Sequence, residues 1–302
     1  MRDDKPSVQA VLERLEWTVL KRLDGLLQGD WRTLFRGHGL DLADLREYQA
    51  GDDVRHIDWN VTARTATPHV RQFDAERDLT AWFLLDLSPS VDFGALRRKR
   101  EVAEEFVGVM ALLVTRHGNR AGAAFYGRGS EQLLPARSGR LHVLHLMQRM
   151  RTRPTVAAVP SQGTRLGDMI TRALPSLRRR SCVFVVSDFI SEPGWQAPLA
   201  RLAERHDVIA VRLFDPIEST LPDIGMVLMQ DSETGEQIFV DSSAKGFRAR
   251  FEAAAAEREA QVRQALARAG VDTLELATDA DFGQALLGFI QARRARARLA
   301  AG

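Results

Sequence analysis

Apolar residues at Val8, Val11, Leu12, Leu15, Val19, Leu20, Leu23 and Leu26 recur three or four positions apart, the spacing of one buried helix face. They predict a helix from Ser7 to Leu27 that Gly29 ends. Between Gly37 and Phe73 no period is sustained, and Gly51-Asp52-Asp53 and Thr67-Pro68 mark turns. Two short segments there, NVTAR and HVRQF, read as paired strands. The pattern changes at LTAWFLLDL, residues 79–87, a near-continuous apolar run closed by an acid, as expected of a strand covered on both faces. CVFVVSD, ending at Asp188, repeats the design.

Around these two runs, helical and strand-like segments alternate. Helices are predicted at about Ala95–His117, Leu141–Met150, Arg165–Leu177 and Pro198–Glu204, with strands at AGAAFY, EQLLPA and DVIAVRLF. A hairpin follows, GMVLMQD and EQIFVD about the Gly235 turn, then an Ala-rich helix from Ala244 to Ala269 stopped by Gly270. VDTLEL and a helix from Phe282 to Arg298 complete the chain. This alternation predicts an α/β fold, a mostly parallel sheet flanked by helices. The boundary near Phe73–Asp78 divides the chain into a helix-and-short-strand module, 1–77, and a main domain, 78–302, that includes the hairpin and last helices.

Composition narrows the class. A chain of 302 residues with 45% hydrophobic and 27% charged positions can bury a sizeable core, which excludes disordered, collagenous and disulfide-scaffold classes. The start, MRDDKPSVQA, is too polar for a secretory segment, and no run reaches the roughly 18 apolar residues of a membrane span. A cytoplasmic protein without integral membrane association is therefore expected. Cys182 is the one cysteine and lies within CVFVV, the place of a buried small hydrophobe. A formal net charge of +2 is too small for the concentrated field that nucleic-acid binding needs, so no nucleic-acid partner is expected. Only Lys5, Lys21, Lys99 and Lys245 among the 42 basic side chains are lysines. The clusters Arg97-Arg98-Lys99-Arg100, Arg178-Arg179-Arg180 and Arg293-Arg294-Ala295-Arg296 read as solvated helix ends or faces.

The candidate chemistry sits at the ends of the two apolar strands. Asp86-Leu87-Ser88-Pro89-Ser90 sets one carboxylate and two hydroxyls at alternate positions just past a buried strand. In open α/β sheets ligands bind beyond the carboxyl ends of strands. Hard oxygens there suit Mg²⁺, or another divalent ion such as Mn²⁺ or Ca²⁺. D-x-S-x-S alone is common in loops that only cap a helix. Thr164, at the start of the next helix, and Asp188, at the end of CVFVVSD, add a hydroxyl and a second carboxylate where strand-end loops converge.

The sequence of Asp86, Ser88, Ser90, then Thr164, then Asp188 resembles the von Willebrand A superfamily, whose metal-ion-dependent adhesion site has the pattern D-x-S-x-S, Thr, Asp. The resemblance implies that Ser88, Ser90 and Thr164 touch the metal, that Asp86 and Asp188 act mostly through water, and that a partner's Glu or Asp fills the open position. Further upstream, REYQAGDDVRHIDWNVTARTATPHVRQFDAERD resembles the signature of the bacterial domain of unknown function 58 family. That resemblance spans most of the chain and implies a von Willebrand A-like fold and a MoxR-type AAA+ ATPase as partner, in an adaptor, chaperone-like or complex-maturation role. Two departures stand out: Val91 follows the second serine where Met is frequent, and many relatives carry membrane spans that this chain lacks.

Other chemistries fit less well. A metal-dependent phosphoryl-transfer enzyme using Asp86 would need a second acid where Ser88 stands. A serine hydrolase would need a G-x-S-x-G elbow, and ATP binding through a P-loop a G-x-x-x-x-G-K-[ST] segment; the chain has neither. A nucleic-acid module on the arginine clusters is the remaining alternative. Asp52, Asp53 and Asp58 are read as partners of Arg46, Arg55 and Arg64, and Trp59 and Tyr48 as core anchors. His38, His56 and His69 lack metal-ligand spacing. The expectation is a binding module, not an enzyme.

Overall fold

The computed structural model describes residues 6–21, 45–49, 52, 54, 57–71, 79–127, 132–152, 165–231 and 235–301. Helix α1 (Val8–Leu15) continues as one π-turn, Glu16–Leu20. After it come β1 (Leu45–Glu47), α2 (Trp59–Thr65), β2 (His69–Arg71), β3 (Thr80–Asp86), α3 (Lys99–Arg116), β4 (Arg120–Tyr126), β5 (Gln132–Arg137) and α4 (Arg140–Thr152). The second half holds α5 (Leu166–Ala173), β6 (Cys182–Ser187), α6 (Gln196–Arg205), β7 (Asp207–Phe214), β8 (Met226–Gln230), β9 (Gln237–Asp241), α7 (Lys245–Arg268), β10 (Asp272–Ala277) and α8 (Phe282–Ala301).

Six strands form the central sheet in the order β10-β7-β6-β3-β4-β5, with β5 alone antiparallel to its neighbour. This is the expected fold class. The chain builds outward from β3 through β4 and β5, then returns to lay β6, β7 and β10 on the other side. The strand order therefore reverses between β3 and β6, the two strands that read as doubly covered apolar runs.

Period-two alternation sends the strand side chains to two cores. Ala81, Phe83 and Leu85 join α1, α3, α4 and α8 on one face, while Trp82 and Leu84 join α5, α6 and the end of α7 on the other. Phe83 stacks on Phe184 at 5.2 Å, and Phe106 of α3 meets both edge-on. Helix α3 is buried almost throughout because α1 and α4 also pack on it. The predicted first helix thus contributes Leu12, Leu15 and Leu20 to the main core. Cys182 is fully buried in β6, and burial pushes its thiol well above the usual range.

Several local expectations are corrected. NVTAR is helical, not a strand: Asp58 accepts the Val61 N–H at 3.2 Å and caps α2, while β2 pairs antiparallel with β1. Asp52 likewise accepts a backbone N–H, that of Gln49, and neither bond bears on the expected pairing of these acids with arginines. Trp59 is 69% exposed and anchors no core, and Tyr48 is half-buried. His69 bonds the Thr67 carbonyl through Nδ1, whereas Asp53, Arg55, His38 and His56 lie outside the described residues. Helix α3 begins at Lys99 rather than Ala95, because the Ala95 N–H is held by Asp215. Two supposed surface cations are also buried. Arg293 is 1% exposed, paired with Asp207 and 2.8 Å from Asp272, and Lys99 is 0% exposed. Arg178, Arg179 and Arg180 are exposed as expected. Among the described residues no helix is long and apolar enough to cross a membrane.

Candidate metal centre

Strand order reverses between β3 and β6, and the carboxyl ends of strands at such a reversal are the position at which open α/β sheets bind ligands. Asp86 is the last residue of β3, and Asp188 directly follows β6. After Asp86 the chain turns through Ser88 into a 3-10 turn, Pro89–Asp92, whose first position suits proline's fixed φ. That turn lowers Ser90 beside Ser88, their Oγ atoms 3.0 Å apart, and buries Val91 beneath them. Val91 packs fully in the core, so its substitution for methionine falls on packing. Four of the five predicted ligands, Asp86, Ser88, Ser90 and Asp188, are brought together at the ends of these adjacent strands. Each is only 1–3% exposed, so they lie beneath the surface rather than on it. Thr164 lies outside the described residues.

Both Asp86 oxygens are held: Oδ1 accepts the Ser88 N–H at 3.0 Å and Oδ2 accepts the Ser187 hydroxyl at 2.7 Å. Ser187 Oγ in turn accepts the Phe189 N–H at 2.9 Å. Phe189 takes a left-handed conformation, φ 59°, that non-glycine residues rarely adopt, and is fixed there by burial against Trp195. The turn lets the Ile190 N–H reach back to Asp188 Oδ1 at 3.0 Å. Burial first, and the charge of Asp188 second, push the Asp86 carboxyl up to about 6. The two carboxylates therefore oppose each other's ionisation in a poorly solvated place.

A cation already stands on one side. Lys99 Nζ donates to Asp188 Oδ2 at 2.7 Å and to Glu218 Oε1 at 2.8 Å. Burial alone would lower this ammonium's pKa, but the charges of Asp188 and Glu218 raise it above the ordinary lysine value. Glu218 Oε2 accepts the Asp215 N–H, and Asp215 Oδ1 accepts the Ile217 N–H, a capping box at the end of β7. Asp215 Oδ2 also accepts from Ala95 N and Thr278 Oγ1, at 2.9 and 2.6 Å. Burial opposes ionisation of Asp215, but these hydrogen bonds and the Lys99 charge hold its carboxyl below the usual range. One polar network thus joins the ends of β3, β6 and β7.

A divalent ion fits the donors. Adjacent oxygens of an octahedral shell with metal–oxygen distances of about 2.1 Å stand about 3.0 Å apart. Ser88 Oγ and Ser90 Oγ, which hydrogen-bond to each other at 3.0 Å, have a separation compatible with it. Among the described residues no group of three or more His, Cys, Asp or Glu is arranged to hold a metal.

Reasoning from sequence missed Lys99, Ser187, Asp215 and Glu218. Asp215-Pro216-Ile217-Glu218 carries a readable capping-box spacing. Lys99 was marked only by being one of four lysines among so many arginines.

The family model described as "Protein of unknown function DUF58" matches residues 44–261. The uncharacterized protein Rv1480 of Mycobacterium tuberculosis is 38% identical over 298 residues, 96% of this chain and 91% of that protein. Among solved structures, BatB from Bacteroides thetaiotaomicron aligns at 17% identity and TM-score 0.46 over 72% of this chain and 98% of that one. The SpRpn10 VWA domain aligns at 12% identity and TM-score 0.38 over 69% and 93%. At these scores the fold rests on the strand order described above.

Proposed function

The chain belongs to the DUF58 family of proteins of unknown function, and from that premise we propose that it is a metal-dependent protein-interaction module, in which a bound divalent ion grips a partner's carboxylate. The observation that carries this reading is the placement of Asp86 and Asp188 at the reversal of strand order in the central sheet, with the hydrogen-bonded hydroxyls of Ser88 and Ser90 in the loop just after Asp86. Ser88 and Ser90 would hold Mg²⁺, or Mn²⁺ or Ca²⁺, directly; Asp86 and Asp188 would hold its waters, and Thr164 is the proposed third hydroxyl. The ion supplies a Lewis-acidic position with exchangeable water, which an external Glu or Asp can replace.

Geometry favours gripping over catalysis. A carboxylate nucleophile must have an oxygen turned to its substrate, yet both oxygens of Asp86 accept hydrogen bonds from the protein. The partner we propose, by family resemblance, is a MoxR-type AAA+ ATPase, which this chain would serve as an adaptor in the cytoplasm. Thermal denaturation with Mg²⁺ or with EDTA tests the site. Mg²⁺ at about 100 times Kd should add about 2.7 kcal/mol, and Ser88→Ala should remove most of that gain. An equal response in wild type and Ser88→Ala would reject the assignment. A pull-down of the ATPase with and without EDTA tests the partner, and metal-independent capture would separate it from the site.

A further inference from the structure

Resting on the metal reading above, we propose that Lys99 is a positioning residue of the site: its ammonium holds Asp188 outside the ion's inner shell and so keeps one coordination position free for a partner's carboxylate. Asp188 is pinned at both oxygens, Oδ1 by the Ile190 N–H at 3.0 Å and Oδ2 by Lys99 Nζ at 2.7 Å. Turning this carboxylate onto an ion beside the serines would strain or break both bonds. A dication placed on Oδ2 would also stand against the ammonium, whose repulsion is little screened where Lys99 is 0% and Asp188 2% exposed. The ammonium cannot follow Asp188 inward, because Glu218 holds it from the other side at 2.8 Å and is itself fixed by the Asp215 N–H.

The placement is costly for any purely structural end. Lys99 opens α3, where the helix dipole disfavours a cation, and its charge is fully buried. In a chain that uses arginine nearly everywhere, a compact ammonium with three tetrahedral donors stands here instead of a planar fork. Asp188 and Glu218 take two of those donors, and the Phe93 ring, 5.9 Å from Nζ, lies over the group. Lys99 therefore makes Asp188 an acceptor for the ion's water rather than a ligand.

The test loads the full chain with Mn²⁺ and counts inner-shell waters by water-proton relaxation and electron paramagnetic resonance. Lys99→Met frees Asp188 to coordinate directly. The relaxation enhancement per bound Mn²⁺ should fall by about a quarter to a third, one water of the three or four an octahedral ion would keep, and Mn²⁺ should bind several-fold more tightly. Adding Asp188→Asn to Lys99→Met should restore the wild-type water count. Where Lys99→Met fails to fold by circular dichroism, Lys99→Met/Glu218→Gln serves instead, since it removes one buried carboxylate with the ammonium. A variant that loses thermal stability but keeps wild-type hydration would assign Lys99 a structural role only and overturn the proposal while the metal reading stands. Absence of Mn²⁺ binding to the wild type would overturn both.

Discussion

Replacing Ser187 with alanine isolates the contact that ties the two halves of the site together. The hydroxyl closes β6, is 0% exposed, and is used twice: it donates to Asp86 Oδ2 at 2.7 Å and accepts from Phe189 N at 2.9 Å. The first bond is charge-assisted and contributes about 1.5–3 kcal/mol; the second is an ordinary bond of about 1 kcal/mol. Losing both strips a buried carboxylate of one donor and leaves a buried N–H at a residue already held in a left-handed conformation. The expected loss is therefore about 2–4 kcal/mol, a large share of the roughly 5–15 kcal/mol that folded domains possess. Urea unfolding followed by tryptophan fluorescence, in EDTA so that no metal contributes, reads this as a lower midpoint at unchanged slope. A loss under about 0.5 kcal/mol, the scale of surface substitutions, would refute the bridging role. A changed slope would show that the variant perturbs more than this contact.

Gly122→Ala should cost about 1–3 kcal/mol by overpacking, because a Cβ there would stand 2.9 Å from the Trp82 ring and 3.1 Å from Ala136 Cα; an unchanged urea midpoint would show that the ring moves aside freely. Arg293→Met should cost about 3 kcal/mol, since it removes the buried cation shared by Asp207 and Asp272, each 9% exposed, of which Asp272 keeps Arg296 at 2.9 Å; a loss recovered in part by Asp207→Asn would confirm that the charge left behind is the cause. His142, whose ring Nε2 lies 2.7 Å from the Ala121 carbonyl, has its pKa lowered, by burial first. The unfolded chain takes up this proton before the folded one, so the histidine's contribution is complete above about pH 6.5 and is lost as pH falls below it. The stability difference between wild type and His142→Gln, measured from pH 7.5 to 5.5, should shrink on acidification, and a flat difference would contradict the shift.

Much of the main sheet was readable because its physics is local. Residues 79–87 and CVFVVSD are apolar at both alternations, and only a strand covered on two faces satisfies that pattern. Their adjacency, and the reversal between them, depends on chain crossings that no local period records. In the upstream segment the competition between elements decided the outcome. NVTAR has β-branched residues that suit a strand, but Asp58 offers a cap to the Val61 N–H and the segment closes into a helix.

The site divides along the same line. Asp86, Ser88, Ser90 and Asp188 could be found because they recur as oxygen-bearing residue types at fixed spacing at or just after the ends of apolar strands. Lys99 and Arg293 were hidden by their neighbours, since each lies inside a basic run whose other members are more exposed than it is, and composition assigns the whole run one environment. Folding separates them through the acids they meet. Lys99 meets Asp188 and Glu218, 89 and 119 positions away, and Arg293 meets Asp207, 86 positions away. A buried cation is legible only together with its counter-charges, and those counter-charges are brought to it by sheet order. The same strand reversal that sets β3 beside β6 carries the β7 end, with Glu218, within reach of Lys99. The acids of the proposed metal site and the lysine paired with one of them are thus products of one topology.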